Sequence, residues 1–112
     1  MKIAIPFAGG QVAQHFGHCE EFVLFDVDGE TRTIEGSQTV VAPPHEPGLL
    51  PQWLKELGAD VVITGGMGRR AQELFAHSGI AVIVGVSTDD PRALVTDYLE
   101  GRLKSGENIC DH

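Results

Sequence analysis

Residues 57–85 read LGADVVITGGMGRRAQELFAHSGIAVIVG. Two runs rich in Val and Ile, ADVVITGG (59–66) and IAVIVGV (80–86), flank GRRAQELFAHSG (68–79). In the middle run Ala71, Leu74, Phe75 and Ser78 recur at helical spacing, and Gly79 supplies a stop. The flanking runs are short, apolar and bounded by glycine, as buried strands are. A strand, a helix and a strand in so short a span cross over right-handed and lie parallel. The chain is therefore α/β.

Upstream, Leu50, Trp53, Leu54 and Leu57 are also spaced for a helix, stopped by Gly58. Before it, APPHEPG (42–48) is an irregular loop with three prolines. EFVLFDVD (21–28) and TRTIEGSQTVV (31–41) read as two strands joined at DGE (28–30) into an antiparallel hairpin, the second bent or bulged at Gly36. KIAIPF (2–7) is the first strand, and QVAQHFGH (11–18) is a loop or single turn. Downstream, STDDPRALVTDYLEGRL (87–103) is a third helix, with Ser87 or Thr88 as cap and Pro91 near its first position. The expected architecture is a mixed sheet of about five strands with about three helices on its faces.

The chain has 112 residues, 42% of them apolar and 21% charged. That length suits a single domain over 1–112, with 104–112 expected as a flexible tail. No apolar run approaches the ~20 residues a bilayer requires, and the N-terminal stretch is too short for a signal peptide. The expectation is a cytoplasmic protein with no membrane association, in which thiols stay reduced and a Cys19–Cys110 bridge is disfavoured. The net charge of −8 argues against a nucleic-acid partner, because phosphates need a basic face. It favours cations or a basic protein.

The chain has only two cysteines, each with a histidine within two residues. His15, His18 and Cys19 fall in QHFGHCEEF (14–22), and Cys110 and His112 in the terminal NICDH. With His45 they form a candidate metal-ligand set. Thiolate with imidazole suits zinc, copper or iron in a sulfide cluster. The spacing is not that of a paired CxxC site. The alternative is that the histidines are polar turn residues and the terminal pair a solvated tail. Because ligands collect at the carboxyl ends of parallel strands, the loops after the first and fourth strands leave one edge, and His15, His18, Cys19 and His45 can converge there.

A second candidate is the turn Gly65-Gly66-Met67-Gly68 with Arg69. Between a buried strand and a helix N-terminus, its amides and the helix dipole suit an anion, a phosphate or a sulfide cluster. It matches neither a P-loop nor a GxGxxG fingerprint. The alternative is a tight turn that needs glycine for positive φ. Met67 is a packing residue more often than a soft ligand. Asp26, Asp28 and Asp60 are expected to be solvated rather than a two-metal nuclease centre. Cys19 beside His18 is the one candidate pair for nucleophilic catalysis.

Taken together, KIAIP (2–6), HFGHCEEFVLFDVD (15–28) and residues 57–85 resemble the dinitrogenase iron–molybdenum cofactor biosynthesis family, which includes NifX-like carriers and the C-terminal domain of NifB. The resemblance runs from about residue 2 to 100. It implies a ribonuclease-H-like fold: five strands in the order 3-2-1-4-5, with strand two antiparallel. It implies a nitrogen-fixation-related carrier, not an enzyme, for an iron–sulfur or molybdenum/iron sulfide cluster. One relative carries a molybdenum–copper sulfide cluster. The HFG histidine maps to His15 and the glycine loop to Gly65–Gly68, while His45 stands where relatives have a histidine-rich stretch. The chain departs from the family at His18-Cys19-Glu20-Glu21 and at the Cys110/His112 tail. Expected partners are a metallocluster and its donor or acceptor protein. The chain would act as a monomer or as a homodimer joining two Cys19 loops. Rival readings are a single-ion zinc or copper protein and a metal-free regulatory module.

Overall fold

The computed structural model describes residues 1–9, 11–13, 16, 19–43, 48–86 and 90–103. The elements are β1 (Lys2–Ala8), β2 (Gln11–Val12), β3 (Glu21–Asp28), β4 (Thr33–Val41), α1 (Leu49–Glu56), β5 (Val61–Ile63), α2 (Arg69–His77), β6 (Ala81–Ile83) and α3 (Pro91–Leu99). The crossover read from residues 57–85 is present: β5 and β6 pair in parallel, Val61 with Ala81 through Ile63 with Ile83. β5 also lies parallel to β1. β3 runs antiparallel to β1 and to β4. The sheet is thus mixed, with three helices among the described residues.

The sheet has six strands rather than five. Its order is β4-β3-β1-β5-β6, with β2 off this path on β1, in place of the expected 3-2-1-4-5. Gly9, at φ 62, turns the chain back so that Val12 pairs with Phe7 and Gln11 with Ala8. This extra strand shifts the numbering of every later one. The parallel strands are also shorter than the apolar runs that announced them. Beyond Ile63 and Ile83 contact continues through single bonds, Thr64 N–H to the Ile83 carbonyl at 2.9 Å and Gly85 N–H to Gly65 at 2.9 Å.

Most of β1 and β3 is buried on both faces, so two cores form. Ala4, Phe22, Leu24, Val62 and Phe75 pack with Leu50 and Leu54 under α1 and α2. Ile3, Ile5, Val23, Phe25 and Ile63 pack with Leu94 and Val95 of α3 on the other side. The helical stripe Leu50, Trp53, Leu54, Leu57 faces the first core. Gly58, at φ 90, ends α1 as expected. The β3–β4 register slips where Asp26 pairs Gly36 and Val27 pairs Ile34, which is the bulge expected at Gly36.

The cap of α3 is Asp90, whose side chain accepts the Arg92 N–H at 3.4 Å, with Pro91 at the first helical position. Ser87 and Thr88, the expected caps, lie outside the described residues, as does the expected tail at 104–112. The three acidic candidates are occupied in structural roles. Asp60 accepts the Lys2 amide at 3.0 Å, and Asp26 pairs with the Lys2 ammonium at 3.8 Å. Asp28 accepts the amides of Glu30 at 2.9 Å and Thr31 at 3.3 Å, which closes the hairpin. No helix among the described residues is long and apolar enough to cross a membrane.

Two outcomes follow from this packing. Leu54 is fully buried, and Leu54→Ala is expected to cost about 2–5 kcal/mol in urea unfolding, the range for a leucine cavity. Its two amide donors hold the Asp28 carboxyl below its ordinary 3.8. A depressed acid stabilises the fold above its unfolded pKa and loses that contribution as pH falls through the folded value. Carboxyl NMR titration of Asp28 should therefore give a value below 3.8. Asp28→Ala should flatten the acid loss of stability in that window.

Candidate functional site

β1 and β5 are parallel neighbours, so the loops that follow them leave the same edge of the sheet. They meet there. The Phe16 amide donates to the Gly66 carbonyl at 2.8 Å. Phe16 of the HFGHC stretch is thus bonded directly to the glycine turn.

The glycine turn is tied down through its carbonyls. Gly65 accepts from the Gly85 amide at 2.9 Å. Gly66 accepts from Phe16 and also from the Thr64 hydroxyl at 3.3 Å, and Thr64 is fully buried. Met67 accepts from the Gln72 side-chain amide at 2.9 Å. Gly65, Gly66 and Met67 are buried, whereas Gly68 and Arg69 are exposed at the start of α2. The alternative reading, a turn that needs glycine for positive φ, is not met. Gly68 has φ −63, and Gly65 and Gly66 are absent from the positive-φ residues, which include Gly85 on the facing loop. At Gly68 an added Cβ would meet nothing within 4 Å. Burial, rather than backbone handedness, distinguishes Gly65 and Gly66.

Phe16 is the loop's anchor. Its ring packs edge-on against Phe75 of α2, with centroids 5.4 Å apart, and tilted against Phe22 of β3 at 5.7 Å. Such pairs contribute about 0.5–1.5 kcal/mol beyond their buried area. Trp53 extends the cluster, 5.6 Å from Phe22. Cys19 follows, its amide donating to the Phe16 carbonyl at 3.4 Å. Glu20 then pins the chain: its amide bonds Phe7 at 2.7 Å, its carbonyl accepts from Ala42 at 3.0 Å, and its carboxylate accepts from Gly9 at 3.0 Å.

Cys19 is 4% exposed and belongs to the apolar cluster with Phe16, Phe22, Met67 and Phe75. Burial pushes its thiol up to about 11, against an ordinary 9.0, and a backbone hydrogen bond offsets only part of this. Met67, also fully buried, lies in the same core. Of the expected ligands, His15, His18, His45, Cys110 and His112 lie outside the described residues. Among the described residues no group of three or more His, Cys, Asp or Glu side chains could hold a metal ion.

Phe16, Thr64, Gln72 and Glu20 are positioning residues that the motif reading passed over. The one available signal was Phe16 itself, an aromatic residue set in an otherwise polar loop.

The raised thiol sets a pH dependence at the alkaline end. The neutral thiol is favoured in the fold, so this contribution is complete below pH 9 and disappears as pH rises through about 11. Wild-type protein should lose stability across that window in urea unfolding, and Cys19→Ala should be flatter there.

Several known proteins are similar to this chain. An uncharacterised protein of Methanocaldococcus jannaschii, MJ0580, is 29% identical over 110 residues, spanning 96% of this chain and 92% of that one. The crystal structure of PH0822 superimposes with a TM-score of 0.85 at 35% identity, covering 94% of each chain. The apo form of the orange protein from Desulfovibrio gigas does so at 0.74 and 26% identity, covering 96% of this chain and 93% of that one. The family model of the dinitrogenase iron–molybdenum cofactor, Nitro_FeMo-Co, matches residues 1–101, which span both loops of the joined site. The chain belongs to the dinitrogenase iron–molybdenum cofactor family.

Proposed function

We propose that this protein is a non-catalytic carrier, in metallocofactor assembly, for an iron–sulfur or molybdenum/iron (or molybdenum–copper) sulfide cluster or its precursor. The observation that carries the reading is the Phe16–Gly66 bond. It joins Phe16, which lies among the Cys/His candidates in sequence, to the glycine turn in a chain of the iron–molybdenum cofactor family. The D. gigas neighbour is described as an apo form, which marks it as a protein that takes a ligand.

In this reading Cys19, His18 and His15 supply the primary ligands, and His45, Cys110 and His112 complete the set. Gly65, Gly66, Met67, Gly68 and Arg69 border the cluster's anionic edge, with Gly68 and Arg69 opening α2 where the helix dipole favours negative charge. Two thiolates per chain are too few for an all-cysteine cluster, so histidine, sulfide or a second copy shares the ligation. Few and mixed ligands on loops make a labile site, as delivery to an acceptor protein requires. The whole chain acts as one domain in the cytoplasm, and the mixed sheet with flanking helices is read as ribonuclease-H-like.

The burial of Cys19 favours a second reading. A thiol 4% exposed among phenylalanines is well placed for packing alone, which leaves a metal-free module with an anion at the start of α2.

Iron, molybdenum, copper, zinc and acid-labile sulfide, measured with a visible spectrum on anaerobically purified protein, separate these readings. The carrier is expected to hold iron or molybdenum with sulfide and to lose it in Cys19→Ala. Zinc or copper without sulfide makes the site a single-ion one. Metal-supplemented protein that stays empty, with Cys19→Ser indistinguishable from wild type, sinks both metal readings.

A further inference from the structure

β4 ends the sheet, and among the described residues β3 is its one strand neighbour. At nine residues it is a long edge, against a usual strand of about 5–6. The opposite edge, β6, has three. A strand edge offers a row of amides and carbonyls that another strand can pair, and proteins commonly blunt such edges with lysine, proline or a bulge. The first half of β4 has that protection, since Glu35 and the bulge at Gly36 lie there. The second half does not. Its register with β3 is regular from Gly36 to Val41. Residues 36–42, GSQTVVA, hold no charge and no proline in a chain of which 21% is charged. Ser37, Gln38, Thr39 and Val41 are exposed, Val41 to 76%.

We infer that the second half of β4 is a self-association edge, at which a second copy of this chain pairs antiparallel across a twofold axis at Thr39 and continues the sheet. In that register Gly36 lies opposite Ala42, Ser37 opposite Val41, Gln38 opposite Val40, and Thr39 opposite Thr39 of the other copy. Directly opposite residues share a face, so the exposed Thr39 side chains meet as a cross-strand pair. The pairing stops where Glu35 would meet Pro43, which has no amide hydrogen to give. Charge selects the occupant. A basic partner finds no carboxylate along residues 36–42, whereas the chain's own uncharged strand matches itself at every position. The net charge of −8 on each copy opposes the approach, and this neutral stretch adds nothing to that repulsion. Ala42 donates to Glu20, so the Cys19 stretch lies at the Val41 end of β4. Antiparallel pairing sets those ends apart, which makes this pair different from a homodimer joining two Cys19 loops. The inference does not rest on the carrier reading.

Sedimentation velocity of the full chain in reductant tests it, from about 10 μM to about 1 mM, because so small a contact associates weakly. A monomer–dimer equilibrium is expected. Raising salt from about 20 mM to about 500 mM screens the net charge and should shift it toward dimer. Thr39→Lys sets two ammonium groups directly opposite each other and should weaken association by about tenfold or more. Thr39→Glu should do the same with two carboxylates. An equal mixture of the two variants should restore the dimer, because position 39 of one copy faces position 39 of the other. Thr33→Lys, outside the paired stretch, should leave association as it is in wild type. Should either Thr39 variant fail to fold, Val41→Lys mixed with Ser37→Glu tests the same register, since those positions also face each other. A wild-type chain that stays monomeric at every concentration and salt overturns the inference. So does a dimer that Thr39→Lys leaves intact, or one that the mixture fails to restore.

Discussion

Among the described residues a backbone hydrogen bond, from the Phe16 amide to the Gly66 carbonyl, joins the loop after β2 to the glycine turn. It is available only because β1 and β5 are parallel neighbours whose following loops leave the same edge. Each loop is tied elsewhere as well. The glycine turn is held through the carbonyls of Gly65, Gly66 and Met67, and the first loop through Ala13 and Glu20. The rigid parts are thus the ends of the loops and the turn. Between these ties Phe16 is held by its bond to Gly66 and by the rings of Phe75 and Phe22.

That division bears on what a carrier must do. A cargo site has to bind and also release. A thiol raised to about 11 by burial is a poor ligand while covered, and a better one once solvent or a cation reaches it. The net charge of −8 draws cations toward the molecule. Among the described residues the carboxylates that could have formed a rival metal centre, Asp26, Asp28 and Asp60, are spent on Lys2 and on a hairpin turn.

Much of the architecture was legible because it rests on long-period patterns. The strand–helix–strand run at 57–85, the stripe Leu50-Trp53-Leu54-Leu57 and the bulge at Gly36 all carry signals over several residues. β2 was not legible, since two residues cannot display a period; only the turn at Gly9 creates it. The cap of α3 was misplaced because Ser87, Thr88, Asp89 and Asp90 are all competent caps in succession, and only the side-chain bond of Asp90 to Arg92 decides among them. At the site, the sequence singled out the HFGHC loop and the glycine turn but not the Phe16–Gly66 bond that joins them. Nothing local says that Cys19 is buried, because its neighbours in sequence are polar and cluster members such as Met67 and Phe75 come from far along the chain. One of the two readings of the glycine turn rested on positive φ, whereas burial is what sets Gly65 and Gly66 apart.

The central claim is that the joined loops hold a sulfide-bridged cluster. X-ray absorption at the iron and molybdenum edges of anaerobically purified protein tests it most directly. The account predicts a sulfur-rich first shell with a second metal at bonding distance behind it. A lone ion in a shell of nitrogen and oxygen, with no metal neighbour, would contradict it.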